Sequence, residues 1–206
     1  MTISLSEAGK RFNREWIFRN CSIVFEQGGS YAITGPNGSG KSTLLQAVAG
    51  ALQLSAGAIS YAFKEEALEN EFAYRHISMA APYLESIEEM TALELLHFQQ
   101  TFKPFLEGVS HRNILEAVGL EKAAEKQVRY YSSGMKQRLK LALAIFADSS
   151  ALLLDEPCTN LDAAGITRYQ ELIGRYAGNR LLIVSSNDPQ EYHFCRELVS
   201  ILDYKS

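Results

Sequence analysis

The sequence predicts an α/β fold built on a mostly parallel sheet. Three observations carry that expectation. Short β-branched and aromatic stretches crowd the first 34 residues, helical periodicity fills residues 85–147, and beyond these, continuous apolar runs alternate with helical stretches. Continuous apolar runs suit parallel strands covered on both faces, and their alternation with helices suits crossover connections.

Taken in order, residues 3–5, 16–18, 22–25 and 30–34 read as strands, with Gly28 and Gly29 turning between the last two. Residues 43–49 read as an apolar helix. In the middle region Thr91 and Glu94 make a capping box ahead of Leu95, Leu96 and Phe98. Residues 139–147 are a further helix, and 151–155, 181–185 and 198–202 are the apolar strands of the last third. Between those strands, residues 163–176 and 189–195 read as helices, the second opened by Asp188 as N-cap, Pro189 at the first helical position and Glu191 as the reciprocal cap.

Composition narrows the classes. The 206 residues carry a formal charge of −4 and are 47% apolar and 21% charged, which is an ordinary globular balance for one domain. A chain of this size buries roughly 70% of its unfolded surface, so it needs no disulfide or metal staple. A mildly acidic chain has no electrostatic footprint for phosphate backbones, so no nucleic-acid partner is expected. Cys21, Cys158 and Cys195 are odd in number and lack C-x-x-C spacing, which reads as structural thiols. His76, His97, His111 and His193 have no metal-ligand spacing. Residues 1–12 lack the apolar stretch of a secretory signal, and the longest clean apolar run, 141–147, is far below the roughly 20 residues of a spanning helix.

Gly35-Pro36-Asn37-Gly38-Ser39-Gly40-Lys41-Ser42 fits G-x-x-x-x-G-K-[ST], with a strand before it and a helix opening at Thr43. Glycines at 35, 38 and 40 let consecutive N–H groups point inward, and the helix N-terminus adds a positive dipole end. Lys41 supplies a point charge, and the Ser42 hydroxyl suits a hard cation such as Mg²⁺. Residues 151–157 form an apolar strand that delivers Asp155 and Glu156 to a sheet edge, the place where ligands bind in open α/β sheets. A metal ion would partner the otherwise costly buried Asp155, and Glu156 is placed to take a proton from water.

With these residues in view, the chain resembles the nucleotide-binding domain of ABC ATPases. The decisive element is Tyr131-Ser132-Ser133-Gly134-Met135-Lys136-Gln137-Arg138, which looks like the family signature in a form frequent among export-type members. Thr159-Asn160-Leu161-Asp162 is similar to the family's D-loop. The resemblance implies a P-loop NTPase core with an N-terminal antiparallel β subdomain (core residues 1–80 and 150–206) and an inserted α-helical subdomain over 83–132. It implies that Gly35 to Thr43 bind ATP, that Ser42 and Asp155 hold Mg²⁺, and that Glu156, Lys41 and Asn187 serve hydrolysis. Phe12, or alternatively Trp16, would stack on adenine. Ser132, Ser133, Gly134 and Met135 would cover the γ-phosphate bound by a second ABC ATPase domain, with Asp162 in the D-loop, so the expected assembly is a head-to-tail homodimer or heterodimer. Integral membrane transporter subunits are the further partners, and the expected location is cytoplasmic, peripheral on the inner face of the cell membrane.

Three family positions differ. Asn187 stands where the family places histidine, and a neutral amide in place of a charge-assisted donor weakens transition-state stabilisation by roughly 1–2 kcal/mol, about a decade in rate. Pro82 stands where the Q-loop has glutamine, with Tyr83 or Glu85 as substitutes. Ser133 replaces a signature glycine. The leading expectation is an ATP-hydrolysing transporter subunit, with export the expected direction and slow turnover; the alternatives are a soluble ABC ATPase acting in assembly or regulation and a nucleotide-gated scaffold. Only 19 residues follow Asn187, which suggests a minimal module without a regulatory extension. Of Tyr83, Leu84, Ile87, Met90, Leu93, Phe98, Phe102 and Phe105, about two-thirds are expected to be helix core, the rest a groove for a coupling helix. Lys136, Arg138 and Lys140 are expected to form a solvated face.

Overall fold

The structure, a computed structural model, describes residues 1–205. β1 (Thr2–Phe12) and β2 (Glu15–Phe25) make a long antiparallel hairpin that turns at Asn13, a residue with φ 53°. The separate strands expected at 16–18 and 22–25 are one strand. The register shifts between the Ala8–Cys21 and Lys10–Phe18 pairs, and Asn20 takes a left-handed φ of 53° there, so a bulge absorbs the polar Arg19-Asn20 interruption without ending the strand. α1 (Lys41–Val48) follows β3 (Ser30–Thr34), and then β4 (Ala56–Phe63) and β5 (Glu66–Leu68) complete a four-stranded antiparallel sheet in the order β2-β1-β4-β5.

The second sheet has the order β6-β7-β8-β3-β9, with β6 (Ile77–Ala80), β7 (Ala151–Asp155), β8 (Leu181–Ser185) and β9 (Glu197–Ser200). β7, β8, β3 and β9 pair in parallel, as the unbroken apolar runs of β7 and β8 require: every residue of both strands is buried. β9 is shorter than the expected 198–202, because the Ser200 hydroxyl accepts from the Leu202 N–H and starts a 3₁₀ turn over Ile201–Tyr204. Leu44, Leu45, Ala47 and Val48 of α1 join Leu153, Ile183 and Ile33 in one core with Phe18 and Phe25 of the antiparallel sheet. Burying a Leu or Ile side chain stabilises by about 1.5–3 kcal/mol, so this cluster holds α1 against β3, β7 and β8.

These elements, with α6 (Pro189–Tyr192), form one compact unit of residues 1–79, 149–155 and 179–205. A second unit comprises residues 80–148 and 156–178 and holds α2 (Ala92–Phe102), α3 (His111–Ala117), α4 (Ser133–Ile145) and α5 (Ala163–Tyr176). The helical unit therefore runs past residue 132 and includes α4 and α5. Side-chain contacts explain why. Arg138 of α4 donates to the Val118 and Gly119 carbonyls at the end of α3 (2.8 and 3.1 Å), Gln99 of α2 donates to the Leu143 carbonyl (2.7 Å), and Phe146 stacks obliquely on Tyr176. α2 opens with the capping box read from Thr91 and Glu94.

Two expectations for this unit fail. Of the eight apolar residues between 83 and 105, only Phe105 is buried, and Tyr83, Leu84, Ile87, Phe98 and Phe102 are exposed. Residues 81–90 form turns and no helix, so their side chains have no helical face with which to enter a core. The cations of α4 are not a solvated face either: Lys136 pairs with Glu88, Arg138 closes α3, and Lys140 donates to the Ala81 and Pro82 carbonyls.

Candidate nucleotide site

The phosphate loop grows from the buried end of β3. Gly35, Gly38 and Gly40 have φ of 148°, 74° and 100°, a region that side chains avoid. At Gly40 a β-carbon would also lie 2.3 Å from Ile17 Cγ2, so Gly40 is required both by conformation and by space. Gly40 is the N-cap of α1, and no side chain caps this helix, which leaves its first N–H groups facing the loop. Lys41 is buried, and its Nζ donates to the Gly35 and Pro36 carbonyls at 2.9 and 3.2 Å. Ser39 Oγ is buried without a hydrogen-bond partner. A capless helix start, a buried ammonium ion resting on loop carbonyls and an orphaned hydroxyl fit a polyphosphate, which supplies acceptors to all three. Thr43 and Ser42 follow in the first turn of α1 and are partly buried.

Parallel pairing brings the next residues to the same sheet edge. Asp155 ends β7 directly opposite Ser185, which ends β8, and Ile33 of β3 also pairs with Ser185. Asp155 is 1% exposed, and Ser185 Oγ is buried without a hydrogen-bond partner. Beyond β8, Ser186 accepts from the Asp188 N–H, and Asn187 Nδ2 donates to Asn37 Oδ1 at 3.1 Å. Asp155 and Ser42 are oxygen donors of the kind a hard divalent cation uses when most of its shell is phosphate and water.

Glu156 opens the second unit with a left-handed φ of 42°, a strained conformation for a residue with a β-carbon. Its carbonyl accepts from the Thr159 N–H, and the following carbonyl, that of Pro157, accepts from buried Gln137 Nε2 at 2.7 Å. Sequence reasoning assigns Gln137 of the signature no role. Its signal was a polar residue at a buried position of an otherwise apolar helical period.

The signature starts α4. Ser132 is the N-cap, and its hydroxyl accepts from the Met135 N–H; Ser133 is exposed and Gly134 partly so. A β-carbon on Gly134 would stand 3.0 Å from the Asn160 carbonyl, so glycine here lets the D-loop close in. Asp162 caps α5 by accepting from the Gly165 N–H at 2.8 Å. A cleft of about 390 Å³ lies between the two helix starts, lined by Ser132, Gly134, Met135, Asn160, Asp162 and Arg168 among others. Tyr131 just before it donates to the Ala123 carbonyl at 2.7 Å, and burial raises its pKa.

At the hairpin, Phe12 is 48% exposed with Lys10 Nζ 5.0 Å from its ring centre. Trp16 is already covered: Arg11 and Arg19 lie 5.7 and 5.4 Å from its ring, and the ring packs over Gly9.

A parallel sheet that ends in a glycine loop, a buried lysine and a strand-end carboxylate defines a P-loop nucleotide-binding protein. The particular family follows from comparison: the ABC transporter model matches residues 18–159, and the chain belongs to that family, as an ABC-type ATPase domain. It is 29% identical over 205 residues to the ABC transporter ATP-binding protein YhcH of Bacillus subtilis, covering 97% of this chain and 66% of that protein. It is 26% identical over 205 residues to the lantibiotic transport ATP-binding protein SrtF of Streptococcus pyogenes, covering 98% of this chain and 84% of the relative. The fold is that of the dimeric bacterial ABC transporter cassette MJ0796, with a TM-score of 0.80, 20% identity, and coverage of 96% of this chain and 93% of the cassette. Among the described residues no helix is long and apolar enough to cross a membrane.

Proposed function

We propose that the chain is the ATP-hydrolysing subunit of an ABC transporter, with export as its direction, working as a dimer on separate membrane subunits. The observation that carries this is the pairing of two different anion-facing helix starts on one chain. α1 begins uncapped behind buried Lys41, whereas α4 begins at its own cap Ser132, with Gly134, in an open cleft whose cations are Arg138 and Arg168. One chain needs a single phosphate cradle, so the second start serves a nucleotide held by another copy. The signature form supports export, and the likeness to SrtF, a lantibiotic transport ATP-binding protein, supports a transport role.

In this reading the N–H groups of residues 38–42 bind the β- and γ-phosphates, and Lys41 Nζ exchanges the Gly35 and Pro36 carbonyls for phosphate oxygens. The Ser42 hydroxyl and the Asp155 carboxylate are the oxygen donors that would hold a divalent metal. Bound Mg²⁺ supplies a divalent charge that neutralises the phosphate oxygens. The Glu156 carboxylate takes a proton from the water that displaces ADP, held in place by its own turn and by Gln137 behind Pro157. Asn187 offers an amide where an imidazole would carry charge, and Asn37 already engages that amide, so turnover is slow. Phe12 is the accessible ring for adenine. The same Asn37–Asn187 bond favours a second reading, a nucleotide-gated scaffold with hardly any turnover.

Phosphate release by the purified chain with Mg-ATP separates the two. A rate that falls to background in Glu156→Gln supports the transporter ATPase; equal rates in both proteins overturn it.

A further inference from the structure

We propose that Lys140 is a positioning residue that fastens the segment 81–90 to the signature helix, so that force on that segment reaches Ser132–Met135. The proposal rests on the transporter reading and adds to it the link by which a membrane subunit would act on the signature.

Residues 81–90 contain no helix or strand, and their internal backbone bonds are two turn contacts, Leu84 N–H to Ala81 (3.1 Å) and Met90 N–H to Ile87 (3.3 Å). They expose Tyr83, Leu84 and Ile87. What holds them is α4 and the residues just before it. Lys140 Nζ donates to the Ala81 and Pro82 carbonyls at 3.0 and 3.1 Å, and Lys136 Nζ binds the Glu88 carboxylate. The Glu88 and Met90 carbonyls accept from the Arg129 and Val128 N–H groups, both at 2.9 Å.

Lys136 and Lys140 are four residues apart, hence on one face of α4, and each grips a different end of the segment. The residue at 82 explains why a lysine is used. Proline has neither a backbone N–H nor a polar side chain, so its carbonyl is the single polar handle it offers, and a long flexible cation is the side chain that reaches it. Lys140 is partly buried, and burial lowers the pKa of its ammonium while the Glu85 carboxylate raises it. A partly buried cation that gives both bonds to carbonyls of one loop is poorly placed to let go of that loop.

Because α4 is continuous from Ser133 to Ile145, a pull at Lys140 moves its first turn, which carries the Ser132 cap. Two carbonyls lose their charged donor in Lys140→Met, whereas Lys140→Arg keeps donors of similar reach.

The experiment uses the full chain in a Glu156→Gln background, with Lys140→Met and Lys140→Arg added separately. Lys140→Met is expected to speed amide exchange across residues 81–90 and to raise the ATP concentration for half-maximal dimerisation about tenfold, the equivalent of one charged hydrogen bond. ADP affinity of the monomer stays unchanged, and Lys140→Arg restores both readouts. Unchanged exchange, or faster exchange with unchanged dimerisation, overturns the proposal. If Lys140→Met does not fold, Glu88→Gln loosens the other end of the segment and is held to the same two outcomes. If the Glu156→Gln parent itself fails to dimerise, the transporter reading is what fails. The link is then judged by exchange alone: Lys140→Met must speed residues 133–135 along with 81–90, and an effect confined to 81–90 overturns it.

Discussion

Asn187 Nδ2 donates to Asn37 Oδ1 at 3.1 Å, so the second residue past β8 is held by the Gly35–Ser42 loop itself. An amide so engaged gives the reaction at most one further neutral donor. Replacing it with the ionisable side chain of the wider family, Asn187→His, is expected to raise kcat about tenfold, matching the roughly 1–2 kcal/mol between neutral and charge-assisted hydrogen bonds. Nucleotide affinity stays within a factor of two or so. Steady-state phosphate release checks it, and an unchanged kcat would show that position 187 is not limiting.

Substitutions at Lys41 and Asp155 are expected to separate nucleotide binding from metal binding. Lys41→Ala removes the buried cation of the loop and is expected to weaken ATP binding by about 100-fold or more, the cost of a charged contact to phosphate. Asp155→Ala instead removes the Mg²⁺-dependent increment of affinity and leaves metal-free ADP binding in place. Calorimetric titration with and without Mg²⁺ distinguishes them. An Mg²⁺ increment that survives in Asp155→Ala would move the metal site elsewhere.

Gln137 is buried, and its amide closes on the Pro157 carbonyl one residue past Glu156. Gln137→Leu keeps the volume and orphans that carbonyl, at a cost of about 1–3 kcal/mol in stability. If the bond positions Glu156, kcat falls severalfold while KM for ATP holds. Urea unfolding beside kinetics reads both effects, and lost stability with intact kcat would confine Gln137 to packing.

Burial pushes the pKa of Cys21, Cys195 and Tyr61 up to about 12, while the hydrogen bond with Tyr204 acts to lower that of Cys21. These groups keep their protons in the folded chain after the unfolded chain has lost them, from 9.0 for the thiols and 10.0 for the phenol. Their contribution to stability is complete below pH 9 and is lost as pH rises toward about 12. Burial of Lys103 and Lys140 acts in the opposite sense, since it lowers their pKa, but by less. The urea midpoint is therefore expected to decline above pH 9; a midpoint that climbs through that range contradicts the assignment.

Much of the parallel sheet, though not its edge strand β6, is legible in the sequence because the signals of β3, β7 and β8 are local. β7 and β8 are continuous apolar runs, and the loop from Gly35 to Ser42 declares itself through glycine and lysine spacing. β4 could not be read in this way. Its Ala56-Gly57-Ala58 start is small and weakly β-forming, and it is held by pairing to β1, a contact between residues some fifty positions apart. Lys140 was read as solvated for a related reason. A lysine on an amphipathic helix is ordinarily exposed, and the carbonyls that bind it lie at Ala81 and Pro82, where turn residues gave no periodic signal. The same absence of helix leaves Tyr83, Leu84 and Ile87 exposed, in a stretch where about two-thirds of the apolar side chains are expected to be helix core. Asn37 and Asn187 are 150 residues apart, and their contact follows from the β3–β8 pairing, which no motif encodes.

The most direct measurement is the molecular mass of Glu156→Gln in solution, by light scattering, with saturating Mg-ATP and with ADP. A twofold increase in mass with ATP alone, abolished by Ser132→Arg at the start of α4, is the predicted result. A monomer under both conditions, at any protein concentration tested, contradicts the claim that the two helix starts of this chain share a nucleotide between copies.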